Sequence, residues 1–70
     1  MIEVLSEMVA NVWKVLVSVG DQVEAGDVLV ILESMKMEIP IEAPESGTVS
    51  DVRVVEGGVI QEGDVIAIVG

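Results

Sequence analysis

The sequence predicts an all-β fold, an eight-stranded sandwich or flattened barrel with pseudo-twofold symmetry, and two observations support this prediction. When the sequence is displaced along itself by 37 positions, Val12–Leu32 lies over Val49–Val69 with eight identities in 21 positions. Each copy then divides into short valine-rich segments separated by glycines, a pattern typical of strands joined by turns. Two copies indicate an internally duplicated domain, because solenoids need three or more units.

Each copy reads as a strand, a turn, a short strand, a second turn and a final strand. The first strand of each copy ends before a glycine, Gly20 or Gly57, and the last begins after a Gly-Asp pair. Glycine suits turn positions with positive φ, and an aspartate side chain can bond to nearby backbone. Together with the segments that precede the copies, the predicted strands are Ile2–Leu5, Val9–Val17, Gln22–Glu24, Val28–Ser34, Met37–Glu42, Gly47–Val54, Val59–Gln61 and Val65–Val69.

One of these segments also fits a helix. Apolar residues between Leu5 and Leu16 recur at helical spacing, so this stretch alone reads as an amphipathic helix. The repeat favours a strand instead, because the counterpart Val49–Val54 is short and β-branched. That counterpart also follows Pro44 and Gly47, which discourage a long helix.

The composition excludes several classes of function. The chain of 70 residues holds 13 Asp and Glu against 3 Lys and Arg, a net charge of −10, with no His and no Cys. This charge argues against binding nucleic acid or an anionic membrane through a basic patch. Without Cys there are no disulfides, thiol nucleophiles or cysteine metal sites. Without His the commonest metal ligand and general base is missing, so the serines lack a base for nucleophilic catalysis.

The length predicts one small domain, residues 1–70, that is not itself an enzyme. A chain of this size has no room for both a stable core and an enclosed catalytic cavity, so we expect a module on which other proteins act. The longest apolar runs, Val28–Leu32 and Val65–Val69, are too short to span a bilayer. Met1–Val4 shows no basic segment of a signal peptide, and we expect a cytoplasmic protein.

The connection between the two copies breaks local rules. Valine-rich strands flank it, so the chain is expected to reverse at Met35-Lys36, which places Glu33 opposite Glu38. Hairpin turns of two residues normally contain Asn-Gly, Asp-Gly or another glycine pair, and like charges across strands are destabilising. Broken local rules indicate a functional site, and an amine on a hairpin tip is a good target for acylation. The alternative is that Lys36 is a solvated turn residue with Met35 and Met37 packed beneath it.

The segment Glu33–Glu38 resembles the Met-Lys-Met biotinylation motif of the biotinyl/lipoyl attachment domain family. The resemblance extends over nearly the whole chain, through Val19–Asp21, Gly26-Asp27, Ala43, Ser46-Gly47, Glu56-Gly57 and Glu62–Asp64. It implies a flattened barrel of two four-stranded antiparallel sheets, a barrel-sandwich hybrid, with the modified lysine on the hairpin that joins the halves. It also implies covalent biotin on Lys36, with Met35 and Met37 helping the ligase to recognise that lysine.

The resemblance further implies a biotin carboxyl carrier and a set of partners. Biotin protein ligase would attach biotin, biotin carboxylase would load a carboxyl group, and a carboxyltransferase would pass it to an acyl-CoA or a related acceptor. The chain is most similar to the short stand-alone members. The inserted thumb of the larger bacterial carrier is missing between Val12 and Gly20, and Ser34 stands where that carrier usually has alanine.

Two other interpretations stay open: a lipoyl-carrying domain of a 2-oxo acid dehydrogenase-type system, and an unmodified acidic interaction domain. Lipoylated members of the family commonly have Asp-Lys-Ala where this chain has Met35-Lys36-Met37, so biotin is expected rather than lipoate. Trp13 is expected to pack rather than to form a ligand platform. Asp21, Glu24, Asp27 and Asp64 lack EF-hand spacing, so turn capping is expected of them.

Overall fold

The eight predicted strands are present and form two sheets. The computed structural model describes residues Met1–Gly70, with strands β1 (Ile2–Leu5), β2 (Ala10–Val15), β3 (Gln22–Val23), β4 (Val28–Ser34), β5 (Met37–Glu42), β6 (Gly47–Val52), β7 (Val59–Ile60) and β8 (Val65–Val69). The antiparallel sheets have the strand orders β1-β8-β6-β3 and β5-β4-β2-β7. No strand pairing joins them, so the fold is a sandwich rather than a closed barrel. No helix is long and apolar enough to cross a membrane.

The duplication predicted from the sequence relates the two sheets to each other. Strand β1 occupies the same place in one sheet as β5 in the other, and likewise β8 corresponds to β4, β6 to β2 and β3 to β7. Backbone hydrogen bonds repeat in the same way. The N–H of Gly20 donates to the carbonyl of Val49, and the N–H of Gly57 donates to that of Val12, both at 2.8 Å. The predicted pseudo-twofold symmetry is therefore confirmed.

Two short strands end earlier than predicted, because the backbone N–H that follows each strand donates to an aspartate side chain. The N–H of Glu24 donates to Asp27 Oδ2 at 2.9 Å, so β3 stops before Glu24. The N–H of Gln61 donates to Asp64 Oδ2 at 2.8 Å, and β7 stops before Gln61. Asp21 accepts from a backbone N–H in the same way at 2.9 Å. The capping role predicted for these three aspartates is confirmed. Glu24 was expected to cap as well, but it contributes a backbone N–H and not its side chain.

The segment that also fitted a helix is extended. Strand β2 covers Ala10–Val15, less than the predicted Val9–Val17, and its counterpart β6 is two residues shorter than predicted. At the end of β2 the N–H of Val15 donates to Glu56 Oε2 at 3.0 Å. This N–H is therefore bonded to a side chain and not to the backbone of a neighbouring strand. The helical interpretation is wrong, because burial in this segment alternates as one face of a strand meets the core.

The core lies between the two sheets and contains 14 buried apolar residues. Its largest fully buried side chains are Leu29, Leu32, Ile66, Val12, Val30, Val49 and Val69. The chain has no cysteine and therefore no disulfide to support this core. Stability consequently depends on how well these aliphatic side chains fill the space between the sheets.

The chain ends and the β4–β5 turn lie at opposite ends of an elongated molecule of 31 × 17 × 17 Å. The N–H of Gly70 donates to the carbonyl of Thr48 at 2.8 Å, and Ile2 pairs with Val69, so both chain ends lie beside the start of β6. Strand β5 runs the length of the sheet from the turn before the chain enters β6. The turn is therefore remote from both ends of the chain.

Truncation of Leu32 tests the assigned core. Leu32 lies in β4 close to the turn and is fully buried. Leu32→Ala is expected to lower the free energy of unfolding by about 3 kcal/mol, because a large cavity remains in a small core. Urea unfolding followed by Trp13 fluorescence measures this loss.

The matched control is Leu16→Ala, which removes the same atoms from a side chain that is 53% exposed. This variant is expected to lose less than about 1 kcal/mol. Equal losses in the two variants would contradict the assignment of Leu32 to the core.

Candidate functional site

A turn of two residues, Met35-Lys36, joins β4 to β5. Ser34 pairs with Met37 across the hairpin, and the next rung pairs Glu33 with Glu38, as predicted from the sequence. The ladder holds six paired positions in all, so the two strands fix the position of the turn.

Both turn residues have left-handed backbone conformations. The φ angle is 53° at Met35 and 63° at Lys36, and no other non-glycine residue of the chain has positive φ. Two successive positive φ values are typical of a type I′ turn, whose twist matches that of the flanking strands and which normally contains Asn-Gly. Residues that carry a Cβ lose roughly 1–2 kcal/mol each in this conformation. The β4–β5 ladder therefore holds a turn that its own residues disfavour.

The turn presents its side chains to solvent. Met35 is 91% exposed and Met37 is 65% exposed, so the interpretation in which they pack beneath Lys36 is wrong. The turn extends beyond the last buried residue of β4, and no core lies within reach of these side chains. Lys36 is also exposed and forms no ion pair, since the one salt bridge of the chain joins Arg53 to Asp51.

The other lysine of the chain has a different environment. Lys14 Nζ lies 5.6 Å from the centre of the Trp13 ring, within the range of a cation–π interaction. Trp13 is 43% exposed and lies at an irregularity in the β2–β4 ladder, so it packs against Lys14 on the outer surface of its sheet and not in the core. Lys14 is thus held along a strand, whereas Lys36 projects from a tip.

Acidic side chains flank the free amine. Glu33 and Glu38 stand directly opposite each other next to the turn, and both are exposed. No salt bridge relieves the repulsion between their carboxylates, because the one ion pair of the molecule lies elsewhere. Like charges at directly paired positions destabilise a hairpin, so the tip combines an electrostatic penalty with the backbone penalty.

No cavity lies beside Lys36. The surface has three shallow grooves of about 410, 370 and 340 Å³, and none is lined by Met35, Lys36 or Met37. The tip therefore has one reactive feature, an accessible primary amine at the end of a hairpin with six paired positions. An accessible primary amine at a hairpin tip is a group that another protein can reach and acylate, as in the class of small β-domains that carry a modified lysine.

The particular family follows from comparison with known proteins: the chain belongs to the biotin/lipoyl attachment family. The model of that family, described as "Biotin-requiring enzyme", matches residues 2–69. The match spans both copies of the repeat and the hairpin between them. The family resemblance noted in the sequence is confirmed.

Two relatives have nearly the same length as this chain. It is 58% identical over 67 residues to the "Biotinylated protein TB7.3 homolog" of Mycobacterium leprae, a match that covers 96% of this chain and 94% of that protein. It is 55% identical over 60 residues to the "Biotin/lipoyl attachment protein" of Bacillus subtilis, with 86% and 82% covered. The expected similarity to short stand-alone members is confirmed.

The fold also matches part of a much larger enzyme. The crystal structure of the urea carboxylase of Kluyveromyces lactis superimposes with a TM-score of 0.90 and 37% sequence identity. The match covers 97% of this chain and 6% of the carboxylase chain. Domains of this kind therefore occur both as small proteins and within carboxylases.

The strain at the turn predicts an unusual stability change. Lys36→Gly is expected to raise the free energy of unfolding by about 1 kcal/mol relative to Lys36→Ala, because glycine adopts positive φ without a Cβ clash. Both variants remove the same charge and amine, so the difference isolates the backbone. Thermal unfolding of the two variants measures it, and a higher stability of the alanine variant would contradict the type I′ geometry.

Proposed function

We propose that this chain is a biotin carboxyl carrier, a non-catalytic protein that carries biotin on Lys36. The proposal rests on the free, exposed amine of Lys36 at the end of a hairpin whose backbone and charges are locally unfavourable. Family membership and the biotinylated relative support biotin as the group carried. The residues fit that group, because an amide requires only an accessible amine.

Biotin protein ligase is the proposed partner for attachment. The neutral amine of Lys36 attacks the activated carboxyl carbon of biotinoyl-adenylate; a C–N bond forms, and AMP and a proton leave. Met35 and Met37 flank the amine and are proposed to help the ligase recognise it. Their exposure supports this role, since neither side chain contributes to the core of the carrier itself.

Biotin carboxylase and a carboxyltransferase are the proposed partners for the carried group. When bound, biotin supplies a ring nitrogen that accepts and releases a carboxyl group. The chain has no cavity near Lys36 that could hold ATP or an acceptor. Its proposed role is therefore to carry the carboxyl group between the active sites of its partners. The likeness to a domain of a urea carboxylase supports a carboxylase setting. We propose an acyl-CoA or a related molecule as the acceptor.

The shape of the molecule suits a swinging arm. Lys36 lies at one end of a body 31 Å long, and the chain ends lie at the other. A partner that holds the far end leaves the lysine free to enter an active site. Tethering of this kind raises the local concentration of the carried group, to the millimolar range for short flexible links.

Lipoate is the alternative group for Lys36, and the name of the relative in Bacillus subtilis mentions both biotin and lipoyl. The two methionines beside Lys36 favour biotin, because lipoylated members commonly have an acidic residue and an alanine there. The turn itself does not discriminate, since either group requires the same accessible amine.

Lysine substitutions test the attachment site. Lys36→Arg is expected to abolish biotinylation by a purified biotin protein ligase, because the guanidinium of arginine stays protonated and is not a nucleophile at neutral pH. Lys14→Arg should be biotinylated at the rate of the unchanged protein. Streptavidin blotting and intact mass measure both, and retained modification of Lys36→Arg would refute the assignment.

A swap of Lys36 and Met37 provides a further control at constant composition. The swap moves the amine off the tip, and we expect biotinylation to become much slower. Modification of the folded swap variant at the normal rate would show that the ligase reads the local sequence and not the position.

Labelling with bicarbonate tests the carrier role. The biotinylated protein alone, given ATP, magnesium and labelled bicarbonate, is expected to gain no label, because the chain has no ATP site. Addition of the cognate biotin carboxylase should label it, and Lys36→Arg should stay unlabelled. Label acquired without the carboxylase would contradict the proposed role.

A further inference from the structure

The one aromatic side chain of the protein lies outside its core. The chain contains one Trp and no Phe or Tyr, and the 14 buried apolar residues are all aliphatic. Trp13 is 43% exposed on the outer surface of the β5-β4-β2-β7 sheet. Buried aromatic side chains contribute strongly to cores, and this small core has no disulfide to support it. The exposure of Trp13 therefore indicates a role outside the core.

Trp13 belongs to a row of side chains that crosses three adjacent strands. It is the extra residue at the irregularity of the β2–β4 ladder, next to the pair of Lys14 with Ile31. Ile31 pairs on its other side with Pro40 of β5, and directly paired side chains lie about 5 Å apart. Because the next residue, Leu32, is fully buried, alternation directs Ile31 and its row to the outer face of the sheet. We call the four residues Trp13, Lys14, Ile31 and Pro40 the cross-strand row, of which all but the isoleucine are exposed.

The other sheet has the same backbone arrangement with different side chains. Its β6–β8 ladder has an irregularity at the equivalent point, and Ile68 pairs with Asp51 on one side and with Glu3 on the other. A displacement of 37 positions relates these residues to the cross-strand row. The equivalent pairs are Trp13 and Ser50, Lys14 and Asp51, Ile31 and Ile68, and Pro40 and Glu3. The fold therefore forms this row equally with polar and acidic residues, so the backbone does not require Trp13 or Lys14.

The cross-strand row also carries a positive charge that is free to bind a partner. The protein has a net charge of −10, and its three cationic side chains are Lys14, Lys36 and Arg53. Arg53 forms the one salt bridge of the chain, with Asp51, and Lys36 loses its charge when biotin is attached. Lys14 contacts the Trp13 ring and has no carboxylate partner. A carboxylate of another protein is therefore best accommodated at this row.

We propose that the cross-strand row is the surface on which biotin carboxylase docks, and this inference rests on the proposed function. Tryptophan is enriched among the residues that dominate binding energy at the centres of protein interfaces. The matching surface of the carboxylase is apolar opposite the three apolar members of the row. It places a carboxylate opposite Lys14, because burial of an unpaired charge is costly.

The row lies close enough to Lys36 for one partner to reach both. Three steps of the β4–β5 ladder, about 10 Å, separate the Ile31–Pro40 pair from the last pair before the turn. A typical interface covers about 800 Å² of each partner, a radius of about 16 Å. A carboxylase that docks on the row therefore has the tip at the margin of its interface, and the biotin arm is free to enter its active site.

The carboxylase is favoured over the other proposed partners by the chemistry of its reaction. It acts on the ring of biotin, at the far end of the acyl chain, so it can contact the body of the carrier beside the tip. The ligase must instead bring its activated carboxyl to Lys36 Nζ, at the tip itself. A carboxyltransferase also acts on the ring, but it differs with the acceptor, whereas the carboxylase is required for every acceptor.

Competition by a carrier that cannot be biotinylated tests the docking surface. The Lys36→Arg protein should inhibit carboxylation of the biotinylated unchanged protein by the cognate biotin carboxylase, because it presents the same row. Addition of Trp13→Ser to this competitor is expected to raise its inhibition constant about tenfold, since the apolar centre is lost. Addition of Lys14→Gln instead should raise it roughly threefold. The competitor carries no biotin, so these changes report contact between the proteins and not the behaviour of the arm.

The matched control is Ser50→Glu in the same competitor. It alters the equivalent point on the other sheet and makes the net charge one unit more negative, as Lys14→Gln does. The inhibition constant should stay within twofold. Circular dichroism should show the same strand content in all variants. With Lys36 retained, Trp13→Ser should be biotinylated by the ligase at the rate of the unchanged protein.

Unchanged inhibition constants for both row variants, an equal rise for Ser50→Glu, or no inhibition by the Lys36→Arg protein would overturn the docking surface. A matching loss of biotinylation or of strand content in Trp13→Ser would also overturn it. Weaker competition against a carboxyltransferase alone would assign the row to that partner and refute it for the carboxylase. If the biotinylated unchanged protein is not carboxylated at all, the proposed function fails. Carboxylation of that protein with unaltered competition refutes only the docking surface.

Discussion

The packing of two small sheets against each other is the constraint on which the rest of this molecule depends. A chain of this size buries only about 60% of its unfolded surface, and here no disulfide adds to the 14 buried apolar residues. Each half of the chain, β1–β4 or β5–β8, supplies two strands to each sheet, so neither sheet forms from one half alone. Folding of either half therefore requires the other, and this mutual dependence makes a short chain rigid enough to hold a strained turn at its end.

The architecture was predictable from the sequence, because duplication and strand alternation are properties of the residues themselves. The positions of all eight strands, the hairpin register and the aspartate caps followed from glycine spacing and β-branched runs. Strand ends were less predictable, because they depend on partners distant in sequence. The amide of Val15, for example, binds Glu56, 41 residues away, and no local pattern reports that contact. The sequence also left open whether Met35 and Met37 are buried or exposed, because methionine occurs both in cores and at binding surfaces.

At the candidate site, the residues that are unfavourable for a hairpin turn were the ones that indicated a function. Asn-Gly would relieve the type I′ turn, and unlike charges would relieve the Glu33–Glu38 pair. Asn-Gly would remove the Lys36 amine from the tip, and an unlike pair would remove one of the two carboxylates beside it. A small domain with little stability to spare retains both penalties, and local strain of this kind is concentrated at functional sites in proteins. The ladder of six paired positions absorbs the cost and keeps the tip in place.

The pseudo-twofold symmetry is a property of the core and not of the exposed side chains. A displacement of 37 positions relates the buried Val12 to the buried Val49, whereas it relates the exposed Trp13 to the polar Ser50. The core repeats because the buried side chains of both sheets must fill the same space between them, whereas exposed side chains have no such constraint. The repeated packing thus stabilises the body, and it leaves the exposed positions, including the β4–β5 turn, able to differ between the two halves.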